Sequence, residues 1–202
     1  MFTRYTMQHT GVVLPLNIAN IDTDNIIPKQ FLQEITRINF GRYLFFDWRF
    51  TDKIGKTLNS NFILNNPIYK NSSILLTQKN FGCGSSREHA VWALKDYGFK
   101  VIIAPSFSDI FYKNSLINNL FPIILSEIIV NNLFIDIFKK QKAQTFTINL
   151  SETTIVTEKT QYFFKINNFY KYYFNTLDSI DVTLQHDSEI TKYENNQLSY
   201  LK

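Results

Sequence analysis

The sequence predicts an α/β fold, a mainly parallel sheet flanked by helices, with an antiparallel annex near residues 145–166. Three observations carry that prediction. Short apolar runs at 73–78, 100–104 and 122–125 alternate with segments of helical periodicity at 85–97, 106–119 and 127–140. Strands separated by helices in this way pair in parallel and are covered by the helices between them. After Lys142 the pattern switches to alternation, with Phe146, Ile148 and Leu150, then Tyr162, Phe164 and Ile166, between polar neighbours; this reads as two or three antiparallel strands. No linker rich in proline or glycine divides these parts, so residues 1–202 are expected to form a single domain.

Taken in order, residues 11–16 (GVVLPL) read as the first strand, with Pro15 marking an edge or an end. Asn20 to Asn25 is turn chemistry. Its two carboxylates, Asp22 and Asp24, suit acid–base work or a cation, or simply fold into Asx turns. From Gln33 to Asn66 periodicity is poor apart from a short helix within 40–46. Long irregular segments are functional loops or partner-covered surface. Tyr43, Phe45, Phe46, Trp48 and Phe50 are therefore expected at an interface, the alternative being a satellite core.

The central stretch is SILLTQKNFGCGSSREHAVWALKDYG, residues 73–98. A buried strand runs into Gly82-Cys83-Gly84, where glycine permits a tight bend and a close approach. Ser85 is expected to start a helix that stops at Gly98. The first amides of such a helix are free, and with Ser85, Ser86 and Arg87 they would cradle a carboxylate or phosphate. Ser85 to Glu88 also reads as a capping box that needs no ligand. Arg87 is an unfavourable neighbour for a positive helix end, which points to an anion for it to meet. Ligands of parallel sheets sit at the carboxyl ends of strands, where this loop falls. Further on, Ser106 to Asp109 offers a second helix start, and Val130, Leu133, Phe134 and Ile137 form the inward face of a later helix. Asn167 to Thr176 reads as helical, Ile180, Val182 and Leu184 alternate again, and Asp187 or Ser188 opens a last helix.

Composition narrows the function. With 21 Lys and Arg against 17 Asp and Glu, the net charge is +4, but the charges are scattered; nothing resembles a stripe that follows a nucleic-acid backbone. The most apolar stretch, 121–138, is broken by Glu127, Asn131, Asn132 and Asp136, so no membrane span is expected. The first residues lack the apolar centre of a signal peptide. Cys83 is the sole cysteine, which fits a reducing, cytoplasmic compartment. One thiolate cannot hold an iron–sulfur cluster. A third glycine is missing for a dinucleotide fingerprint, and no Walker loop is present. Cys83 as a nucleophile with His89 nearby is a conceivable hydrolase reading. His9 and His186 are isolated and form no metal site by spacing.

GCGSSREHA, followed by DYGFKVIIAPSFSDIFYKNS, resembles the small subunits of the 3-isopropylmalate dehydratase family in the aconitase superfamily. The likeness runs from HTGVVLPL and DTDNIIPKQFL to LDSI and TLQHD. The resemblance implies the swivelling β/β/α domain of the aconitase C-terminal domain. It also implies a hydro-lyase that interconverts 2- and 3-isopropylmalate in leucine biosynthesis. Ser85 matches the base that takes the C–H proton. Ser86 and Arg87 match positions that hold substrate carboxylate, Asp24 an active-site acid, and Gln33 a loop associated with substrate choice. The family's [4Fe-4S] cluster belongs to a large subunit, so this chain would be half of an active site and bind no metal itself. A hydro-lyase subunit for citramalate or homocitrate, or a non-catalytic anion-binding module, are the other readings. Val91 and Asp181 stand where the family pattern has proline and glycine.

Overall fold

A computed structural model describes residues 8–33, 39–85, 87–140, 142–166, 183–184 and 186–196. The chain divides into two compact units, 1–165 and 166–202. In the first, the strands are β1 (Gln8–Leu16), β2 (Ser72–Thr77), β3 (Val101–Ala104), β4 (Phe121–Ile124), β5 (Gln144–Asn149), β6 (Thr154–Val156) and β7 (Gln161–Phe163). They form one sheet in the order β4-β3-β2-β1-β5-β6-β7. β1 to β4 are parallel, and β5 to β7 are antiparallel. The expected annex is therefore the continuation of the parallel sheet through β1.

The helices are α1 (Thr23–Ile26), α2 (Phe46–Arg49), α3 (Glu88–Tyr97), α4 (Asp109–Ile117) and α5 (Glu127–Lys140). Leu14, Leu75 and Ile102 lie side by side across β1 to β3 and pack into a core with Ala90, Val91, Ala93 and Leu94 of α3. Successive strand side chains point to opposite faces, and Val13, Ile74, Leu76, Val101 and Ile103 are fully or almost fully buried as well. Burial on both faces explains why these strands read as unbroken apolar runs. Val91, in place of the family's proline, is completely buried within α3. The inward face foreseen for α5 is the observed one: Val130, Leu133, Phe134 and Ile137 are buried.

Pro15 stands at an end in a particular sense. β5 accompanies β1 only as far as Val13, whereas Pro15 faces Leu76 of β2. The missing N–H thus falls where β1 has only one neighbouring strand, so no ladder bond on the other side is lost.

Of the aromatic residues expected at an interface, Phe45 and Phe46 are buried in the core of this chain, while Tyr43, Trp48 and Phe50 pack beside them and stay partly exposed. Phe40 and Phe45 are at most 1 % exposed and Phe46 is 6 % exposed. Phe45 stacks on Trp48 at 5.4 Å between centroids, and Phe31 on Tyr43 at 4.0 Å. Arg49 binds the segment together, donating to the Gly41 and Leu44 carbonyls while its guanidinium lies over the rings of Phe50 and Tyr97. A segment without periodicity is thus held by ring packing and one arginine. The short helix foreseen within 40–46 is a 3-10 turn, Phe40–Tyr43, followed by α2.

In the second unit, α6 (Asp187–Asn195) begins after His186, whose ring contacts Glu189 at 3.0 Å. The helix foreseen at Asn167 to Thr176, the alternating Ile180 and Val182, and Asp181 lie outside the described residues; Leu184 is exposed.

Candidate active site

The loop from Gln78 to Arg87 leaves the carboxyl end of β2 and enters α3. α3 starts at Glu88, two residues later than its capping pattern predicts, with Arg87 as an extended N-cap and no side-chain cap bond. Ser85 stays outside the helix as an exposed bend residue. The S-x-x-E box therefore does not open this helix from Ser85, because the backbone before it is committed elsewhere. Helix termination at Gly98 is as foreseen.

Hydrogen bonds from two sides hold the stretch Phe81 to Ser85 of this loop. From the β3–α4 connection, Phe81 N–H donates to the Ser106 carbonyl (3.1 Å), and Ser108 N–H returns a bond to Phe81 (3.1 Å). The Ser108 hydroxyl donates to the Gly82 carbonyl (2.5 Å). From the β1–α1 connection, Gly82 N–H donates to the Ile21 carbonyl (2.7 Å), and Thr23 N–H to that of Cys83 (3.0 Å). The Thr23 hydroxyl donates to the Ser85 carbonyl (2.8 Å).

Gly82 has φ +73°, and a Cβ there would lie 2.3 Å from the Phe111 ring. The close approach that this glycine permits is that of a buried phenylalanine. Gly84 has φ +84°, with only the Asp22 and Thr23 side chains near its missing Cβ.

Between the loop and α4 opens a cleft of about 220 Å³. Thr23, Gly84, Ser85 and Arg87 line it, together with the first turn of α4 from Ser108. It sits at the carboxyl ends of β2 and β3, as ligand sites of parallel sheets do. The structure therefore brings Ser85 and Arg87 together at one opening. Arg87 is largely buried, its side chain 12 % exposed, and its guanidinium donates to the Asp24 carboxylate. The anion that Arg87 meets within the chain is thus Asp24, whose other oxygen lies 3.8 Å from the exposed Lys29 ammonium. Asp22 caps α1 by a reciprocal box with Asn25. One of the two close carboxylates is a turn device, and the other is an ion-pair partner.

Gln33 is exposed and does not line the cleft. Ser86 lies outside the described residues. Thr23 and Ser108 were missed in the sequence because each resembles ordinary turn chemistry. The available signal was a hydroxyl residue set between two carboxylates, and a serine directly before a helix.

The neighbouring titratable groups weaken other chemistries. Burial, then the Asp22 carboxylate, pushes the Cys83 thiol up in pKa, the opposite of an activated nucleophile. His89 packs against Phe40 and Trp92 at 5.7 and 4.6 Å between centroids, and burial lowers its pKa. His9 bonds the Ser73 hydroxyl at 2.8 Å, away from the cleft. Among the described residues no three His, Cys, Asp or Glu side chains are grouped to hold a metal ion, and no helix is long and apolar enough to cross a membrane. A single neutral, half-buried thiol does not fit an iron–sulfur cluster.

Comparison with known proteins places the fold in a class. The family model of the aconitase C-terminal domain matches residues 3–128. The 3-isopropylmalate dehydratase small subunit of Blochmanniella pennsylvanica is 63% identical over 198 residues, covering 97% of this chain and 98% of that protein. The protein of the same name from Buchnera aphidicola subsp. Pemphigus spyrothecae is 59% identical, covering 93% of each. The crystal structure of 3-isopropylmalate dehydratase from Methanocaldococcus jannaschii superposes with a TM-score of 0.63 at 24% identity, covering 93% of this chain and 99% of that one; it shares the fold. The chain belongs to the aconitase C-terminal domain family and, within it, to the 3-isopropylmalate dehydratase small subunits.

Proposed function

We propose that the chain is the small subunit of a cytoplasmic 3-isopropylmalate dehydratase, interconverting 2- and 3-isopropylmalate through 2-isopropylmaleate in leucine biosynthesis. The observation that carries this reading is the shared cleft: an exposed Ser85 and a mostly buried Arg87 face one opening beside the first turn of α4.

Ser85 Oγ removes the proton from the carbon that becomes one end of the double bond, and hydroxide leaves the neighbouring carbon. Rehydration with the opposite regiochemistry completes the isomerisation. A free hydroxyl is a very poor base, so the cleft must favour its negative form. The Arg87 cation, backed by the positive end of α3, supplies that field in a site closed by a partner. Arg87, together with Ser86, holds a substrate carboxylate, and Asp24 orients Arg87 from outside the cleft. Gln33 reaches the substrate only in the assembled enzyme, where a neutral side chain suits an isopropyl group. The large subunit contributes the [4Fe-4S] cluster, a Lewis acid for the leaving hydroxyl.

Co-purification of the chain with an iron–sulfur large subunit, followed by assays on 2-isopropylmalate, citramalate and homocitrate, tests this assignment. Preferred turnover of 2-isopropylmalate is expected. Preference for a tricarboxylate makes the chain a subunit of a different hydro-lyase, and partner binding without any turnover makes it an interaction module.

A further inference from the structure

Thr23 is 1 % exposed and lies on α1, not on the loop that carries Ser85. Its N–H and its hydroxyl both reach that loop, at the Cys83 and Ser85 carbonyls respectively. The helix beneath it is itself locked. Asp22 and Asn25 cap α1 reciprocally, and the Ile26 carbonyl accepts from Phe45 N–H at 2.8 Å. Thr23 is thus a fixed post. The bend residue beside it has no helix of its own, since α3 begins only at Glu88.

We propose that Thr23 is a positioning residue for Ser85, its hydroxyl pinning the Ser85 carbonyl so that Oγ is held towards the cleft. This rests on the reading of Ser85 as the base. The physical need is specific. A bend residue outside regular structure has no ladder bond to fix its backbone, so tying its carbonyl to a buried post holds the turn from which the side chain projects. Ser108 ties the Gly82 carbonyl and Thr23 N–H ties that of Cys83, both upstream of the serine. Among the described residues, the Thr23 hydroxyl is the side-chain group that bonds Ser85 itself. Misplacing a reacting group by about 1 Å costs on the order of 10²-fold in rate.

Thr23→Val keeps the shape and removes the hydroxyl; Thr23→Ser keeps the hydroxyl. Both are assayed in the reconstituted two-subunit enzyme beside Ser85→Ala. Thr23→Val is expected to lose about 10²-fold in kcat with KM within about twofold of wild type, because the fault lies in the reacting geometry. Substrate deuterated at the carbon that loses its proton should show a larger isotope effect in this variant. Thr23→Ser should restore most of the rate. If the valine variant fails to assemble, Thr23→Cys, close in shape to the serine variant and a poor donor, is read against Thr23→Ser. Thr23→Val with wild-type kcat, or Thr23→Ser as slow as Thr23→Val, overturns the proposal. With Ser85→Ala inactive, either outcome removes the role of Thr23 alone. A fully active Ser85→Ala removes the serine base and the positioning role together.

Discussion

The Asp24 carboxylate and the Arg87 guanidinium, 63 positions apart in sequence, form an ion pair at the edge of the cleft. The pair ties the β1–α1 connection to the start of α3. Asp24 is 39 % exposed, so solvent screens much of the attraction, and its net worth is about 1 kcal/mol. Asp24→Asn and Arg87→Gln should therefore each lower stability, and the double variant should lose less than their sum. Urea unfolding of the four proteins measures this coupling. Asp24→Asn should also raise KM in the assembled enzyme, because Arg87 loses its orientation. Strict additivity with an unchanged KM would show that the two residues act independently.

The two glycines before Ser85 should differ sharply. Alanine at Gly82 meets both a left-handed backbone and the Phe111 ring, and should cost roughly 3 kcal/mol or more. Alanine at Gly84 meets the same backbone penalty with ordinary contact to Asp22 at 3.4 Å, and should cost about 1–2 kcal/mol. Thermal unfolding of both variants ranks them. Equal losses would mean that the fit of Phe111 under the loop carries no energy.

His9 makes stability depend on pH. Burial foremost, and the nearby Lys100 charge, lower its pKa from 6.5 to about 4. The unfolded chain therefore binds this proton more readily than the folded one. The contribution is fully present above pH 6.5 and is lost as pH falls through about 4. His9→Gln should flatten the fall in unfolding free energy across that window, measured by denaturant titration at several pH values. An unchanged slope would assign the acid sensitivity to other groups.

Much of the sheet was legible because its strands are buried on both faces and leave unbroken apolar runs. The position of the cleft followed from the parallel order alone. The start of α3 was misread because a capping box is a local pattern, whereas Ser85 obeys long-range bonds from Thr23 that no local window contains. For the same reason the pairing of Arg87 with Asp24 of this chain was not legible. The burial of Phe45 and Phe46 was not legible, since nothing in their spacing reveals α3 packing over Phe40, or Arg49 collecting the carbonyls of its own loop. Gln33 came from likeness to relatives, and its chemistry left no trace in the geometry of the isolated chain.

The most direct test is turnover of 2-isopropylmalate by Ser85→Ala reconstituted with the large subunit. A serine acting as base predicts a loss of about 10³-fold or more in kcat, with assembly and substrate KM preserved. Turnover within tenfold of wild type would contradict that role and leave the cleft a binding surface only.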